Sequence, residues 1–248
     1  MKSYIDELDR NIFNFVEYEG YDDRYPSLSM QAFSSDFYDE IRHASRRLFQ
    51  IFCKAAKVFQ MAPDDFARNM DMPDNLIPYL HKSNALGLPT WLSRFDFVLD
   101  VNGNLRMVEL NADTPCFLIE SYYANEVAAN YVGRKHPNKE CRKELHTFFK
   151  RMYDAVLSAK YGRNQYKSML ANRERLPKDP FVFSCFHDYF EDYGTTQFLM
   201  KELKTACLEA DTRFISFYDM KIDDEGIPLE DGSHATLLYR LHPMELLI

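Results

Sequence analysis

Asn102-Gly103 lies between two alternating runs, and no other feature limits the fold of this chain as much. Phe95, Phe97 and Leu99 alternate with Arg94, Asp96 and Val98, which is the period of a strand. Leu105 to Leu110 resumes a strand beyond the dipeptide. Asn-Gly favours a two-residue type I′ turn, because that turn needs positive φ at both central residues. The stretch from Trp91 to Ser121 therefore reads as a β-hairpin, a polar loop and the start of a helix. The turn sets the register: Val101 is expected opposite Asn104, Phe97 opposite Val108, Asp96 opposite Glu109, Phe95 opposite Leu110 and Arg94 opposite Asn111. Residues directly opposite share a face. One face is then apolar, and the other gathers Arg94, Asp96, Glu109 and Asn111.

Two carboxylates directly opposite each other destabilise a sheet, so a cation is expected between them. Arg94 is one candidate. A hard divalent ion is the other, since Mg²⁺ prefers carboxylate and carbonyl oxygens and bridges proteins to phosphates. Spacing alone equally allows an Arg–Asp–Glu network on a solvent-facing sheet.

Three blocks in this order resemble the glutathionylspermidine synthase family, in particular its amidase-free members, described as acid–amine ligases. The first is Arg94-Phe95-Asp96-Phe97 with Val108-Glu109-Leu110-Asn111-Ala112-Asp113-Thr114-Pro115. The second runs from Cys185-Phe186-His187-Asp188 through Glu191-Asp192 and Gly194-Thr195 to Gln197-Phe198-Leu199. The third is Tyr239-Arg240-Leu241-His242-Pro243-Met244-Glu245. The likeness extends from about Tyr21 to the C-terminus.

The resemblance implies a mixed α/β fold: part of an ATP-grasp ligase core with an α/β pre-ATP-grasp domain. It implies amide formation between an acid and an amine through an acyl phosphate, with ATP and Mg²⁺. By motif position, Asp96, Glu109 and Asn111 stand where the family holds magnesium. Arg94 stands where it touches both phosphate and the acid, and is the catalytic candidate; Arg94 and Asp96 are the ATP-binding candidates. Thr114 stands where the synthase has a serine contacting glutathione. Glu191 and Asp192 align with an acidic pair on the peptide-substrate side. Leu241 replaces a polar substrate-contacting residue, which argues against glutathione and spermidine themselves. The family continues past the third block and supplies there the lysines that hold ATP, whereas this chain ends in Leu246-Leu247-Ile248. The expectation is an N-terminal piece with weak or no turnover by itself. Two other classes remain open: a non-catalytic metal- or nucleotide-binding module, and a structural fragment.

Composition narrows the partners. A net charge of −8 with no basic run argues against nucleic acid or an anionic membrane. No apolar run approaches the roughly 18 residues of a membrane span. The acidic N-terminus lacks the apolar centre of a signal peptide. Five scattered cysteines without C-x-x-C spacing read as reduced thiols, hence a cytoplasmic protein. Cys116 beside the polar loop invites a nucleophile reading, although free Cys is usually a small buried hydrophobe; Cys53 and Cys207 fall on helix patterns and read as core. The partners expected are small-molecule or peptide acid and amine substrates.

The rest of the chain divides into residues 1–178, helices plus the hairpin, and 179–248, a βαβ unit. Residues 1–33 read as an irregular tyrosine-rich lead-in with Tyr18, Tyr21, Tyr25 and Pro26. Ser34 or Ser35 caps a helix from Asp36 to about Phe59, whose apolar residues recur at three and four. Arg42, Arg46 and Arg47 lie off that stripe and read as a solvated face, with phosphate contact as the alternative. Pro63, Pro73, Pro78 and Pro89 punctuate short helical turns, with His81 structural or at the surface. Pro115 fits the first turn of a helix through Leu118, Tyr122 and Val127. Its N-terminal loop, Asn111 to Thr114, could face an anion or be capped by Asp113 or Thr114. A helix over Lys139–Tyr161 and a polar surface connection over 162–180 follow. Strands over Phe181–Phe186, Arg213–Phe217 and Ala235–Leu241, with a helix over Thr195–Glu209, imply a right-handed crossover and parallel strands.

Overall fold

The computed structural model describes residues 4–17, 25, 27–86, 90, 92–172 and 179–246. Trp91, Tyr18, Tyr21, Pro26, Pro89, part of the 162–180 connection and Leu247-Ile248 lie outside the described residues. The architecture is mixed α/β and forms two compact units: residues 30–112, and residues 1–29 with 113–248.

The 30–112 unit holds helices α1 (Ser35–Gln60), α2 (Asp64–Asn69) and α3 (Ile77–Leu86), and the antiparallel hairpin β1 (Arg94–Leu99) and β2 (Leu105–Asn111). Ser34 caps α1 by accepting from the Phe37 N–H at 3.1 Å. Helix α1 packs on α3, and Phe52 of its stripe meets the hairpin at Phe95, the two rings 6.0 Å apart. No α1 residue is fully buried; Ala67 and Ile77 are. Cys53 is exposed, not core, because it falls opposite the stripe. His81 is held by Asp64 (2.9 Å) and the Gln60 carbonyl (2.9 Å), a structural role.

The hairpin register is as expected at its base: Arg94 pairs with Asn111, Phe95 with Leu110 and Asp96 with Glu109. Towards the tip it differs. Phe97 pairs with Met107, and Leu99 with Leu105. The loop has three residues, not two. The Gly103 N–H donates to the Asp100 carbonyl at 2.9 Å, and Gly103 takes φ +79° while Asn102 stays in the ordinary region. Asp100 explains the change. Its carboxylate accepts from the N–H groups of Asn102 (2.9 Å) and Asn104 (2.8 Å), and these bonds favour a turn closed by a left-handed glycine. A one-residue bulge at Val108 cancels the shift. It also turns Val108 out to 61% exposure, away from the expected apolar face.

The larger unit is built on a three-stranded parallel sheet in the order β4 (Asp211–Phe214), β3 (Pro180–Ser184), β5 (Leu237–Arg240). Helix α7 (Phe190–Ala206) connects β3 to β4, which is the expected βαβ crossover. Every residue of β3 is buried, as a central parallel strand requires. Helix α5 (Cys141–Tyr161) packs on α7 and buries Leu145, Phe149, Met152 and Val156. The 162–180 stretch is not a mere surface connection. It contains helix α6 (Arg163–Ala171), anchored by buried Tyr166, whose hydroxyl donates to Asp154 at 2.8 Å.

The N-terminal lead-in is core. Tyr4, Ile5, Leu8, Phe13, Phe15 and Val16 are all buried. Of this segment, Asn14 and Phe15 lie against α7 at Gly194, where a Cβ would meet Asn14 Oδ1 at 2.3 Å and the Phe15 ring at 3.1 Å. Glycine is therefore required at that close approach.

Candidate functional site

The expected site residues fall into two groups, one in each unit. On the hairpin, the register places Asp96 opposite Glu109 and Arg94 opposite Asn111. The Arg94 guanidinium grips Asp96 with two bonds, Nε to Oδ1 at 2.7 Å and Nη2 to Oδ2 at 2.9 Å. These bonds hold the Asp96 carboxyl below the usual carboxylate range. Both side chains keep about a third of their surface in water (29% and 37%), and Glu109 is exposed. The donor set of two carboxylates and a carboxamide oxygen fits Mg²⁺, which takes one or two protein carboxylates and completes its shell with water and phosphate. Among the described residues, no group of three or more His, Cys, Asp or Glu side chains could hold a metal by itself.

The second group lies at the carboxyl ends of the parallel strands, where open parallel sheets bind their ligands. Glu191 and Asp192 sit in the first turn of α7, which begins five residues earlier than the sequence pattern indicates. Asp192 is half-buried, and burial, with Glu191 beside it, lifts its carboxyl to about 6. His242, beyond the end of β5, partly offsets this. Thr114 is half-buried in the bend after β2, and its carbonyl accepts from Cys116 Sγ at 3.6 Å. Asp113 spends its carboxylate on Arg240 at the end of β5 and on the Met244 N–H (3.2 Å). The loop is thereby fixed at the strand ends. It does not open a helix at Pro115: Phe117 takes φ +74°, and the helix begins at Leu118.

That helix opens with a π-turn over Glu120–Ala124 and continues as α4 (Asn125–Tyr131). Glu120 was not a candidate from sequence. Its Oε1 accepts from the Tyr25 hydroxyl at 2.8 Å, while its Oε2 is buried with no hydrogen-bond partner among the described residues. Burial raises its carboxyl, and the charge of Glu191 adds to this. The Tyr239 hydroxyl is likewise buried and unpartnered. Its acidity is suppressed by burial first, then by Cys116, Asp192 and Cys185. A signal for Tyr239 existed in the third motif block. None existed for Glu120, because Tyr25 meets it across ninety-five positions of sequence.

The fold is a mixed α/β architecture in which a parallel βαβ sheet carries carboxylates at its strand ends and an Arg–Asp–Glu–Asn hairpin stands in the other unit. The chain belongs to the glutathionylspermidine synthase preATP-grasp family, which it matches over residues 4–248. Among the described residues, no helix is long and apolar enough to cross a membrane.

Proposed function

We propose that this chain serves an ATP-dependent acid–amine ligase, which joins a carboxylate to an amine through an acyl phosphate. The observation that carries the reading is the register that sets Asp96 against Glu109 with Arg94 and Asn111 beside them. Asp96, Glu109 and Asn111 would hold Mg²⁺, which neutralises phosphate charge when bound. Arg94 is the one residue of this face able to stabilise a transferring phosphoryl group, as a planar fork of N–H donors. Its grip on Asp96 keeps that carboxylate ionised and oriented. Arg94 and Asp96 are the ATP contacts in this reading. Thr114, Glu191 and Asp192 are the substrate contacts, and the substrates are a small-molecule or peptide acid and an amine in the cytoplasm.

Calorimetry of ATP with Mg²⁺ on the full-length gene product tests it. Glu109→Gln is expected to weaken metal-dependent ATP binding roughly tenfold or more, as loss of a metal ligand should. Arg47→Gln, on the exposed face of α1, is expected to leave it unchanged. The two-bond Arg94–Asp96 pair also favours a second reading, a purely structural charge network. Equal binding by both variants would establish that second reading.

A further inference from the structure

We propose that a cleft between helix α5 and the turn after α7 binds a free α-amino acid with an apolar side chain. The site lies away from the carboxyl ends of the strands and is independent of the ligase reading.

The cleft has a volume of about 300 Å³ and is lined by Lys150, Tyr153 and Asp154 of α5 and by Cys207, Leu208 and Glu209. It adjoins the amino end of β4, which starts at Asp211. Its size suits a small ligand, at the lower end of the range for small-molecule sites. The floor is made of two buried groups, Tyr153 and Cys207, each 3% exposed. The rim carries Lys150, Asp154 and Glu209, all exposed. Leu208 stands at its edge with 78% of its surface in water, apolar area that a ligand would cover.

Two charges of opposite sign share this cleft without meeting. Among the described residues, Lys150 and Glu209 form no ion pair and no side-chain hydrogen bond. Exposed lysines and glutamates gain little by pairing, so this alone is unremarkable. Their surroundings set them apart. Arg142 and His146, near the start of α5, bind Glu202, and Lys160, at its end, binds Asp179. Lys150 lies between them and borders a hollow instead. Asp154 is held in place, accepting from the Tyr166 hydroxyl at 2.8 Å. The turn that carries Glu209 is held too. The Ala210 N–H donates to the Cys207 carbonyl at 3.0 Å, and Lys204 donates to the Ala210 carbonyl at 2.5 Å. Such a rim is preorganised for a ligand. The three charges converge on the floor: burial first, then Glu209 and Asp154, push the Cys207 thiol up to about 11, and Lys150 opposes them.

The occupant that fits carries both charges and an apolar part. A carboxylate accepts from the N–H donors of Lys150, and an ammonium donates to Glu209 and to the second oxygen of Asp154. A plain anion would meet two carboxylates, and a diamine would meet the Lys150 ammonium. An α-amino acid meets neither obstacle, and its side chain covers Tyr153 and Leu208.

Calorimetry of the purified chain with L-leucine, glycine, leucinamide and N-acetylleucine tests this. Leucine is expected to bind most tightly. Leucinamide lacks the carboxylate and N-acetylleucine lacks the ammonium, so each should bind roughly tenfold more weakly, as loss of a charged hydrogen bond implies. Glycine lacks the side chain and should lose roughly tenfold or more. Lys150→Gln and Glu209→Gln should each weaken leucine binding roughly tenfold. Lys150→Gln should not weaken leucinamide binding, because that ligand brings no carboxylate to the site. Both residues are exposed, and a melting curve of each variant checks the fold. No binding of leucine, equal binding of any of the three analogues, or undiminished leucine binding in the folded variants overturns the proposal. The Glu109→Gln titration with ATP reads the hairpin alone, so either result can fail without the other.

Discussion

The hairpin and the strand ends of the sheet both gather carboxylates, yet they treat them in opposite ways. On the hairpin, Asp96 is partly exposed and held by Arg94, so its proton leaves more readily than usual. At the strand ends, Asp192 and Glu120 are withdrawn from water and form no ion pair among the described residues, so theirs leave less readily. Glu202 on α7 shows that burial alone does not decide the matter. It is 2% exposed, and burial pushes its carboxyl up, yet the bonds from Arg142 (2.9 and 2.6 Å) and His146 (2.6 Å) outweigh that and hold it below the ordinary value. The presence of a partner, more than depth, separates the two behaviours. Permanently ionised carboxylates suit a metal and phosphates. Carboxylates left without a partner suit a ligand that brings the cation.

The largest effect should come from removing the partner that makes Glu202 ordinary. Arg142→Ala leaves a buried carboxylate with only His146. Breaking a buried pair costs about 3–5 kcal/mol in general; His146 remains and Arg142 is half-exposed, so about 2–3 kcal/mol is expected. Chemical denaturation followed by circular dichroism measures it. A loss below about 0.5 kcal/mol would show that depth, rather than pairing, sets the behaviour of these groups.

Much of this comparison was legible in the sequence, for local reasons. The Asn102-Gly103 dipeptide and strict alternation placed Asp96 opposite Glu109, and the three-and-four spacing from Phe37 to Phe59 located α1. What escaped was decided by side chains acting on backbone. Asp100 took over the turn and lengthened it by one residue, and a bulge at Val108 restored the register; a period of two cannot show either event. Tyr4 to Val16 carries no helical or strand period, so its burial and the contact of Phe15 with Gly194 were invisible. Glu191 and Asp192 were found by motif, but the start of α7 at Phe190 was not, since no strong capping residue precedes it. Glu120 was out of reach, because its character comes from Tyr25 and Glu191, both distant in sequence.

A smaller effect, opposite in sign, is expected at Asp192. Its native carboxyl titrates near 6, above its value in an unfolded chain. The native state therefore binds the extra proton, and stability is lost as pH rises from about 4 through about 6. Glu191 and His242 face this carboxyl and Tyr239 lies near it, so the transition belongs to the group. Asp192→Asn removes the penalty. It should stabilise the protein by roughly 1–2 kcal/mol at pH 7.5, after discounting for its partial exposure, and by little at pH 4. Melting curves at the two pH values check this. An equal gain at both would mean that the charge of Asp192 is not what costs stability.

The smallest effect on stability belongs to the hairpin, and there it is most informative. Arg94 and Asp96 are partly exposed, and such pairs contribute no more than about 1 kcal/mol. Because Arg94 lowers the native Asp96 carboxyl, any contribution is present above about pH 4 and is lost as pH falls through the lower native value. Arg94→Gln should therefore melt within a few degrees of wild type at pH 7, and the difference should narrow as pH falls below about 4. Yet the same change removes the only guanidinium in register with Asn111 and should weaken ATP binding far more than it weakens the fold. That split distinguishes a face kept for a ligand from one kept for the sheet. A structural network would lose stability and leave nucleotide binding untouched.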